Sequence, residues 1–401
     1  MEPFLSTCAA IAVFSGTAGP GDYSTMIATD GLRATEVSLA ARSDPSADDL
    51  FALGGVRFLG AVERALQTRY QNGMSQGFAV MADIPVLRLP IAENPAPSPF
   101  DPIVVEAMFL GITEDMTGAL AALDQIGDDD ALGVSIRTDD LWFDINTNGQ
   151  RDDCEGMLDV VGLGLTGGFG EPLNGVTVRF DTADAAWLSA YAHLLSGISE
   201  TVLAFEPAEA IGRVLDSRAA IEALSPLGSE SMGFMDIREI TKIVDLVTMF
   251  VYALEGQPDI DRSRAAHAHF QDMIADNRVF WNRVALEGDN DAEWIPNKSQ
   301  TSALPIDFPS DTGGAWLSVL AEIEGVLRGD VLIPHWTLGD GAGVNMAKLF
   351  QDPPEVDIVG FVQGGALVPY MEPGRLVSFA ALQRFTELVR GNAGLYMVIL
   401  N

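Results

Sequence analysis

The chain has 401 residues, of which 48% are hydrophobic, and its 57 acidic residues outnumber its 23 basic residues for a formal net charge of −34. This apolar content is sufficient for a large core and argues against disorder, which accompanies low hydrophobicity. The strongly acidic balance disfavours nucleic acids and anionic membrane surfaces as partners, because both carry negative charge, and it favours cations.

The N-terminal segment, residues 1–23, is small and apolar, but it carries Glu2 where a signal peptide would carry basic residues. We interpret it either as the remnant of an export leader or as a first helix. No apolar run reaches the roughly 20 residues of a membrane-spanning helix. The two cysteines, Cys8 and Cys154, form no framework and fit no zinc spacing. The acidity and the scarcity of cysteine favour a periplasmic or secreted protein.

Apolar residues recur at helical spacing along most of the chain. This pattern predicts helices over residues 24–42, 47–72, 103–126, 182–204, 207–224, 235–255, 259–286, 314–328, 344–351 and 376–390. The helix at 182–204 is apolar on most of its sides, so it should lie at the centre of the fold. Six prolines between residues 84 and 102 predict an extended connection.

Two short segments, 134–137 and 176–180, alternate apolar and polar residues and predict an antiparallel β-ribbon. Residues 331–333 also suggest extended chain, and residues 395–400 are a final apolar run. The sequence therefore predicts a mainly α fold. We expect one α-dominated domain over residues 24–401, in which residues 131–180 insert the ribbon and a metal loop.

The metal loop is the segment DINTNGQRDDCE at residues 144–155. Oxygen-bearing residues recur along it, and Gly149 permits a sharp turn. The segment resembles the EF-hand calcium loop, D-x-[DN]-x-[DN]-G-x₅-E, at every required position. The resemblance implies that Ca²⁺ is held by Asp144, Asn146, Asn148, the backbone carbonyl of Gln150, Asp152 (directly or through water) and both oxygens of Glu155. Cys154 lies inside this loop, and we interpret it as a small packed residue.

Two departures from the EF-hand pattern indicate an isolated, structural site. Arg151 stands where the family usually has an apolar residue that packs against a second loop, and the sequence has no second loop of this kind. The incoming segment, residues 139–143, suggests extended chain or a single turn rather than a long helix. Isolated loops of this type bind Ca²⁺ with dissociation constants of about 10⁻⁴–10⁻³ M and serve stability better than signalling.

A glycine motif at residues 162–167 matches G-x-G-x-x-G but lacks the helix start that a dinucleotide site needs. The outgoing helix of the metal loop should occupy residues 155–163, so we interpret the motif as a glycine-rich loop. The acidic cluster at residues 289–293 is a candidate cation site or a solvated loop. The sequence contains no G-x-S-x-G, phosphate loop or S-x-x-K motif, so no catalytic residue is predicted.

The four histidines are His193, His267, His269 and His335. On a helix, side chains two residues apart point about 200° apart, so His267 and His269 cannot share one metal ion. One of them joining His193, Glu200 or Asp272 would make a metal site between helices. The alternative is that these histidines are partly buried or cap helices.

These patterns favour a non-catalytic, calcium-stabilised helical protein that acts in binding or as a scaffold, with an unknown protein or small-molecule partner. Three tryptophans, Trp294, Trp316 and Trp336, would line its groove. The alternative is a metal-dependent enzyme with a histidine and carboxylate site in the helical core. The low lysine content, high arginine content and acidity resemble those of uncharacterised exported proteins of marine proteobacteria, a resemblance that implies no activity.

Overall fold

The computed structural model describes residues 22–74, 87, 89–165, 174–224, 231–232 and 235–401, and over these residues the protein is mainly helical, as predicted. The helices in chain order are α1 (Tyr23–Ala40), α2 (Ala47–Gln71), α3 (Ile103–Leu123), α4 (Met157–Leu165), α5 (Thr182–Ala204), α6 (Pro207–Leu224), α7 (Ile237–Leu254), α8 (Ile260–Val284), α9 (Thr312–Arg328), α10 (Met346–Gln351), α11 (Ile358–Gln363), α12 (Ala380–Leu388) and α13 (Ala393–Leu400). A 3₁₀ helix spans Gly365–Tyr370.

The strands of the described residues form small antiparallel pairs. They are β1 (Val134–Arg137) with β2 (Thr177–Phe180), β3 (Ser231–Met232) with β4 (Met235–Asp236), and β5 (Ala342–Val344) with β6 (Met371–Pro373). The β1–β2 pair is the predicted ribbon, and its register sets Val134 opposite Phe180. Phe180 reaches the helices, where its ring lies 5.4 Å from the ring of Phe51 on α2.

Helix starts follow the capping chemistry of the sequence. Ser46 accepts a hydrogen bond from the backbone N–H of Asp49 at 3.2 Å, and the Asp49 side chain accepts one from the backbone N–H of Ser46 at 3.0 Å. Asp181 and Asp184 make the same reciprocal pair at the start of α5. Each pair satisfies backbone donors that a helix leaves open at its first turn, so α2 and α5 begin where the polar residues precede the apolar pattern.

Helix α5 lies at the centre of the fold, as its apolar residues predict. Leu188 packs in a cluster with α1, α2 and the ribbon. Ala190 belongs to a second cluster with α8, α9 and the C-terminal helices, and Ala192 belongs to a third with α2 and α3. One helix thus contributes to three parts of the core.

The last seventy residues differ most from the prediction. Residue 344 belongs to β5, and α10 begins only at Met346, because the Asn345 side chain caps the helix by accepting from the backbone N–H of Lys348 at 3.1 Å. The extended segment at 331–333 bridges to both Val344 and Leu376. Because Leu376 is held in that bridge, the helix predicted over 376–390 is shortened to α12.

Residues 89–102 contain no helix before α3, in agreement with the predicted extended connection, whereas Leu87 is helical. Residues 75–86 and 88 lie outside the described residues. Within the part of the chain that the structure describes, no helix combines the length and apolarity needed to cross a membrane.

Candidate functional site

The loop at residues 144–155 lies between β1 and α4, and backbone hydrogen bonds hold its two ends together. The N–H of Phe143 donates to the carbonyl of Glu155 at 2.9 Å, and the N–H of Met157 donates to the carbonyl of Leu141 at 2.9 Å. The incoming segment has no helix and ends in a bridge between Trp142 and Gly156. Backbone pairing therefore holds the two ends of the loop next to each other.

The first loop residue, Asp144, directs its carboxylate to the turn in the middle of the loop. Its Oδ1 accepts from the backbone N–H of Asn148 at 3.0 Å, and its Oδ2 accepts from the backbone N–H of Gly149 at 3.0 Å. Gly149 has φ of +74°, the left-handed conformation that glycine adopts most readily. Asp144 and Gly149 thus bend the segment into a closed turn.

The last loop residue, Glu155, is buried and faces back into the loop. Its Oε1 accepts from the backbone N–H of Ile145 at 2.9 Å, and its Oε2 accepts from the backbone N–H of Asp152 at 2.9 Å. An ionised carboxylate has about four lone-pair positions. Because Oε1 also accepts from the backbone N–H of Asn146 at 3.3 Å, three of these positions are used and Oε2 keeps one for a cation. Coordination by both oxygens would displace a backbone donor.

The middle of the loop is drawn together by Asp152. The side-chain amides of Asn146 and Asn148 both donate to its Oδ2, at 2.7 and 2.6 Å. The Asn148 Oδ1 accepts from the backbone N–H of Gln150 at 2.7 Å. A calcium ion would have to replace the two donated amide hydrogens at Asp152.

Across the described residues, no three His, Cys, Asp or Glu side chains are grouped so that they could hold a metal ion. The set predicted for the loop mixes carboxylates with asparagine oxygens and a backbone carbonyl, all hard donors of the kind that Ca²⁺ takes. The chemistry of this donor set fits Ca²⁺, and the hydrogen bonds in the loop bring the six predicted residues into one turn.

Two residues of α2, Glu63 and Gln67, bind the first residue of the loop, and no pattern in the sequence predicted either contact. Glu63 is buried and its Oε2 accepts from the backbone N–H of Asp144 at 2.8 Å, while the Gln67 side chain donates to the Asp144 carbonyl at 2.7 Å. Burial raises the pKa of Glu63 to about 7, and the charges of Asp144 and Glu155 add to the rise. The only signal in the sequence was a pair of polar residues four positions apart on a largely apolar helix.

Arg151, which replaces the usual apolar residue, has a specific role. Its Nη1 donates to the backbone carbonyl of Asp139 at 2.8 Å. Arg151 thus binds the segment that enters the loop and does not contact a second loop among the described residues.

Comparison with protein-family models, with curated proteins and with solved structures finds no match for this chain. The function is therefore inferred from the contacts of the residues themselves.

Two interpretations of residues near the loop need correction. Cys154 is exposed rather than packed, with φ of +69°, and Cys8 lies outside the described residues. The start of the glycine motif, residues 162–165, is the end of α4 and not a loop, because the outgoing helix runs two residues further than expected. Residues 166–173 lie outside the described residues.

Two of the four histidines meet between α5 and α8. The Nδ1 atoms of His193 and His269 are 2.9 Å apart, a hydrogen bond in which one ring donates and the other accepts. The Oδ2 of Asp276 is 3.8 Å from the Nε2 of His193. Burial lowers the pKa of both histidines, and for His193 the neighbouring His269 lowers it further. This pair is the nearest approach to the helical metal site of the alternative hypothesis.

The other two histidines lie elsewhere. His267 is buried, and its Nε2 donates to the carbonyl of Leu327 at 2.6 Å. Nδ1 of His335 is 2.7 Å from the hydroxyl of Thr337. His267 and His269 thus face different partners, as the helical spacing predicted. Glu200, proposed as a ligand, accepts from Arg262 at 2.9 Å.

The acidic cluster at 289–293 is held by an arginine. Arg179 lies 3.8 Å from Asp289 and 3.7 Å from Asp291, and the backbone N–H of Asp291 donates to the buried Glu293 at 2.7 Å. The cluster is thus tied to Arg179 by ion pairs, and the backbone N–H of Thr301 donates to Asn290 at 2.8 Å.

The prediction that three tryptophans line one groove is wrong. Trp316 is buried at 2% exposure, and Trp336 is 76% exposed on another part of the chain. Trp294 alone packs near the ribbon, where its ring lies 5.3 Å from that of Trp187 and 5.8 Å from that of Phe180.

Proposed function

We propose that this protein is a non-catalytic binding protein of the periplasm or cell exterior, stabilised by one Ca²⁺ in the loop at residues 144–155. The observation that carries the calcium proposal is the inward orientation of Asp144 and Glu155, the first and last loop residues, around the turn at Gly149. Side-chain oxygens at those positions are the ones with which an EF-hand loop closes on its ion.

The position of the loop supports a structural role. Glu63 and Gln67 fix the backbone of Asp144 to α2, and Met157 begins α4 two residues after Glu155. An ion held between Asp144 and Glu155 would therefore connect α2, the ribbon and α4. An ion that binds only the folded state stabilises it, and the stabilisation grows with the logarithm of the ion concentration once this exceeds the dissociation constant.

The test is thermal unfolding of the full-length chain with Ca²⁺ or with a chelator. For a dissociation constant of about 10⁻⁴–10⁻³ M, about 10 mM Ca²⁺ should stabilise the fold by about 1.4–2.7 kcal/mol. For a chain of this size that corresponds to a rise in Tm of roughly 2–3 °C. Mg²⁺ should give a smaller rise, because it demands octahedral geometry and releases water reluctantly.

Variants distinguish Ca²⁺ binding in the loop from non-specific screening of the large negative charge of the chain. Asp144→Ala and Glu155→Ala should abolish the Ca²⁺-dependent rise in Tm. Asp153→Ala is the matched control, since it removes a carboxylate from the same loop at a position that the EF-hand pattern does not use. Equal responses of all three variants to Ca²⁺ would mean that the ion acts by screening alone, and a parent protein insensitive to chelation would refute the proposal.

Export is tested separately, by fractionation of cells that produce the full-length chain. The proposal expects the protein outside the cytoplasm, and recovery in the cytoplasmic fraction alone would contradict it.

The His193–His269 pair favours one alternative, a metal-dependent enzyme. Elemental analysis of the dialysed protein distinguishes the two: no transition metal is expected under the proposal, whose weakly bound Ca²⁺ leaves during dialysis. A transition metal retained at one per chain after dialysis, and lost in His269→Gln, would replace the proposal with the alternative.

A further inference from the structure

An apolar cavity of about 260 Å³ lies between α1, α2, α5, the β1–β2 ribbon and the C-terminal helix α13. Aromatic rings contribute much of its wall, among them Phe51, Phe58, Phe180, Trp187, Tyr191 and Trp294. An engineered cavity of about 150 Å³ lined by Leu, Ile and Phe stays dry and admits benzene. The cavity of this protein is larger than that one and lies just below the roughly 300–1,000 Å³ of small-molecule pockets, so it can hold a small ligand, and its apolar, aromatic lining is typical of such sites.

The polar atoms around the cavity are largely satisfied by the protein. The hydroxyl of Tyr23 donates to Asp49 at 2.6 Å, and the indole N–H of Trp187 donates to the carbonyl of Ile399 at 2.8 Å. The buried indole N–H of Trp294 has no acceptor among the described residues. A matching ligand is therefore mostly hydrocarbon, with no more than an isolated polar acceptor.

Charge further narrows the ligand class. None of the described residues that line the cavity is charged, and the chain as a whole carries −34. An anionic head group inside the cavity would meet no cation and would lose its hydration. We propose that the cavity binds a neutral, lipid-like small molecule, such as a medium-chain alcohol, ester or hydrocarbon, in preference to an ionised fatty acid.

Residues that flank the loop at 144–155 also line the cavity. Phe143 immediately precedes Asp144 and lines the cavity, as do Met157 and Val161 on α4. Calcium that fixes the loop would therefore also fix this wall of the cavity, and the ligand should bind more tightly with Ca²⁺ than with a chelator. The ligand proposal deepens the proposed binding function but does not require the calcium site.

The experiment uses the full-length chain and the uncharged probe N-phenyl-1-naphthylamine, whose fluorescence rises in apolar surroundings. Saturable binding is expected, with displacement by 1-decanol and little displacement by decanoate at pH 8. Absence of saturable binding, or equal displacement by alcohol and carboxylate, would overturn the proposed ligand class. The Tm with and without Ca²⁺ is recorded on the same samples. A Tm that does not respond to Ca²⁺, together with normal probe binding, would refute only the calcium site.

Two glycines of α2 provide a matched pair of variants. A Cβ atom added at either Gly55 or Gly60 would meet nothing within 4 Å, but only Gly55 lines the cavity. Both replacements by leucine raise helix propensity, so neither should unfold the protein. Gly55→Leu should weaken probe binding by roughly tenfold or more, because it fills the cavity, and Gly60→Leu should bind like the parent.

Ala52→Leu, which also adds volume at a cavity-lining position, guards against misfolding of a single variant. Thermal unfolding verifies that each variant is folded. Folded Gly55→Leu and Ala52→Leu proteins that bind the probe as tightly as the parent would refute the assignment of the ligand to this cavity.

Discussion

The buried carboxylate of Glu63 accepts a hydrogen bond from the backbone N–H of Asp144 at 2.8 Å, and this bond joins α2 to the first residue of the loop. Glu63→Ala should leave that N–H without its partner and cost about 1–3 kcal/mol of the free energy of unfolding. Glu63→Gln keeps an acceptor oxygen at the same place, so it should cost clearly less. Urea unfolding in the presence of a chelator measures both, and equal losses for the two variants would contradict the role given to this hydrogen bond.

The turn in the loop makes a second prediction, which concerns backbone strain alone. Gly149 has φ of +74°, and an added Cβ would meet nothing within 4 Å. Gly149→Ala should therefore cost about 1–2 kcal/mol through the left-handed conformation and not through a clash.

Gly60→Ala is the control for Gly149→Ala, because Gly60 also has open space around it but lies inside α2. Its replacement should stabilise the protein by up to about 1 kcal/mol, since alanine favours helix. Urea unfolding of the two variants should thus give changes of opposite sign, and a Gly149→Ala protein at least as stable as the parent would show that the turn is not strained.

The histidine pair predicts a dependence of stability on pH. The pKa of both His193 and His269 is lowered in the folded state, by burial first. The unfolded chain therefore takes up protons below its ordinary histidine pKa of about 6.5 more readily than the folded protein does. The contribution of the histidine pair to the free energy of unfolding is therefore complete above about pH 6.5 and is lost as the pH falls below that value.

Carboxylates near the pair raise the pKa of the histidines: Asp272 acts on both rings, Asp124 on His193 and Glu200 on His269. Asp276 lies 3.8 Å from Nε2 of His193, and burial raises its own pKa to about 6. The comparison of the parent with His269→Gln isolates the imidazole contribution. The difference in unfolding free energy between them should be smaller at about pH 5 than at about pH 8. A difference that does not change with pH would show that the ring at position 269 takes no part in the titration.

The six expected donors of the loop could be named from the sequence because they lie within twelve consecutive residues, where spacing alone relates them, and their binding of Ca²⁺ stays a prediction. Glu63 was not predictable, because it meets Asp144 from 81 positions away along the chain, and no local pattern reports that distance. The cavity was hidden for a similar reason. Phe51, Ile136 and Ile399 each look like core residues in the sequence, and periodicity tells which face of an element is buried but not whether the space between two faces is filled.

Only part of the arrangement of the histidines could be predicted from the sequence. Helical spacing correctly separated His267 from His269, since that depends on the geometry of one helix. The meeting of His269 with His193 depends on how α5 packs against α8, because the two histidines are 76 positions apart. The same packing places Asp276, which the sequence did not single out, 3.8 Å from His193. Of the candidate carboxylates, Glu200 accepts from Arg262, and Asp272 raises the pKa of both rings.

A final prediction concerns Glu287, which follows α8 and accepts from the Gln300 side chain at 3.1 Å. Burial raises its pKa to about 7, and the charges of Asp181, Glu293 and Asp289 add to the rise. The folded protein therefore keeps this proton in the range between about 4.5 and 7, where the unfolded chain has lost it. Stability should fall as the pH rises through that window.

Glu287→Gln keeps the acceptor for Gln300 and removes the charge, so it should stabilise the protein at about pH 8 by about 1 kcal/mol, after allowance for solvent screening of a partly exposed group. It should have almost no effect at about pH 4.5, where the carboxyl is protonated in the folded state. Glu93→Gln, at an exposed position, controls for the removal of one negative charge from a chain with a net charge of −34. Chemical unfolding of both variants at the two pH values is the measurement. Equal stabilisation by both variants at pH 8 would mean that the overall charge of the chain, and not the buried position of Glu287, sets the effect.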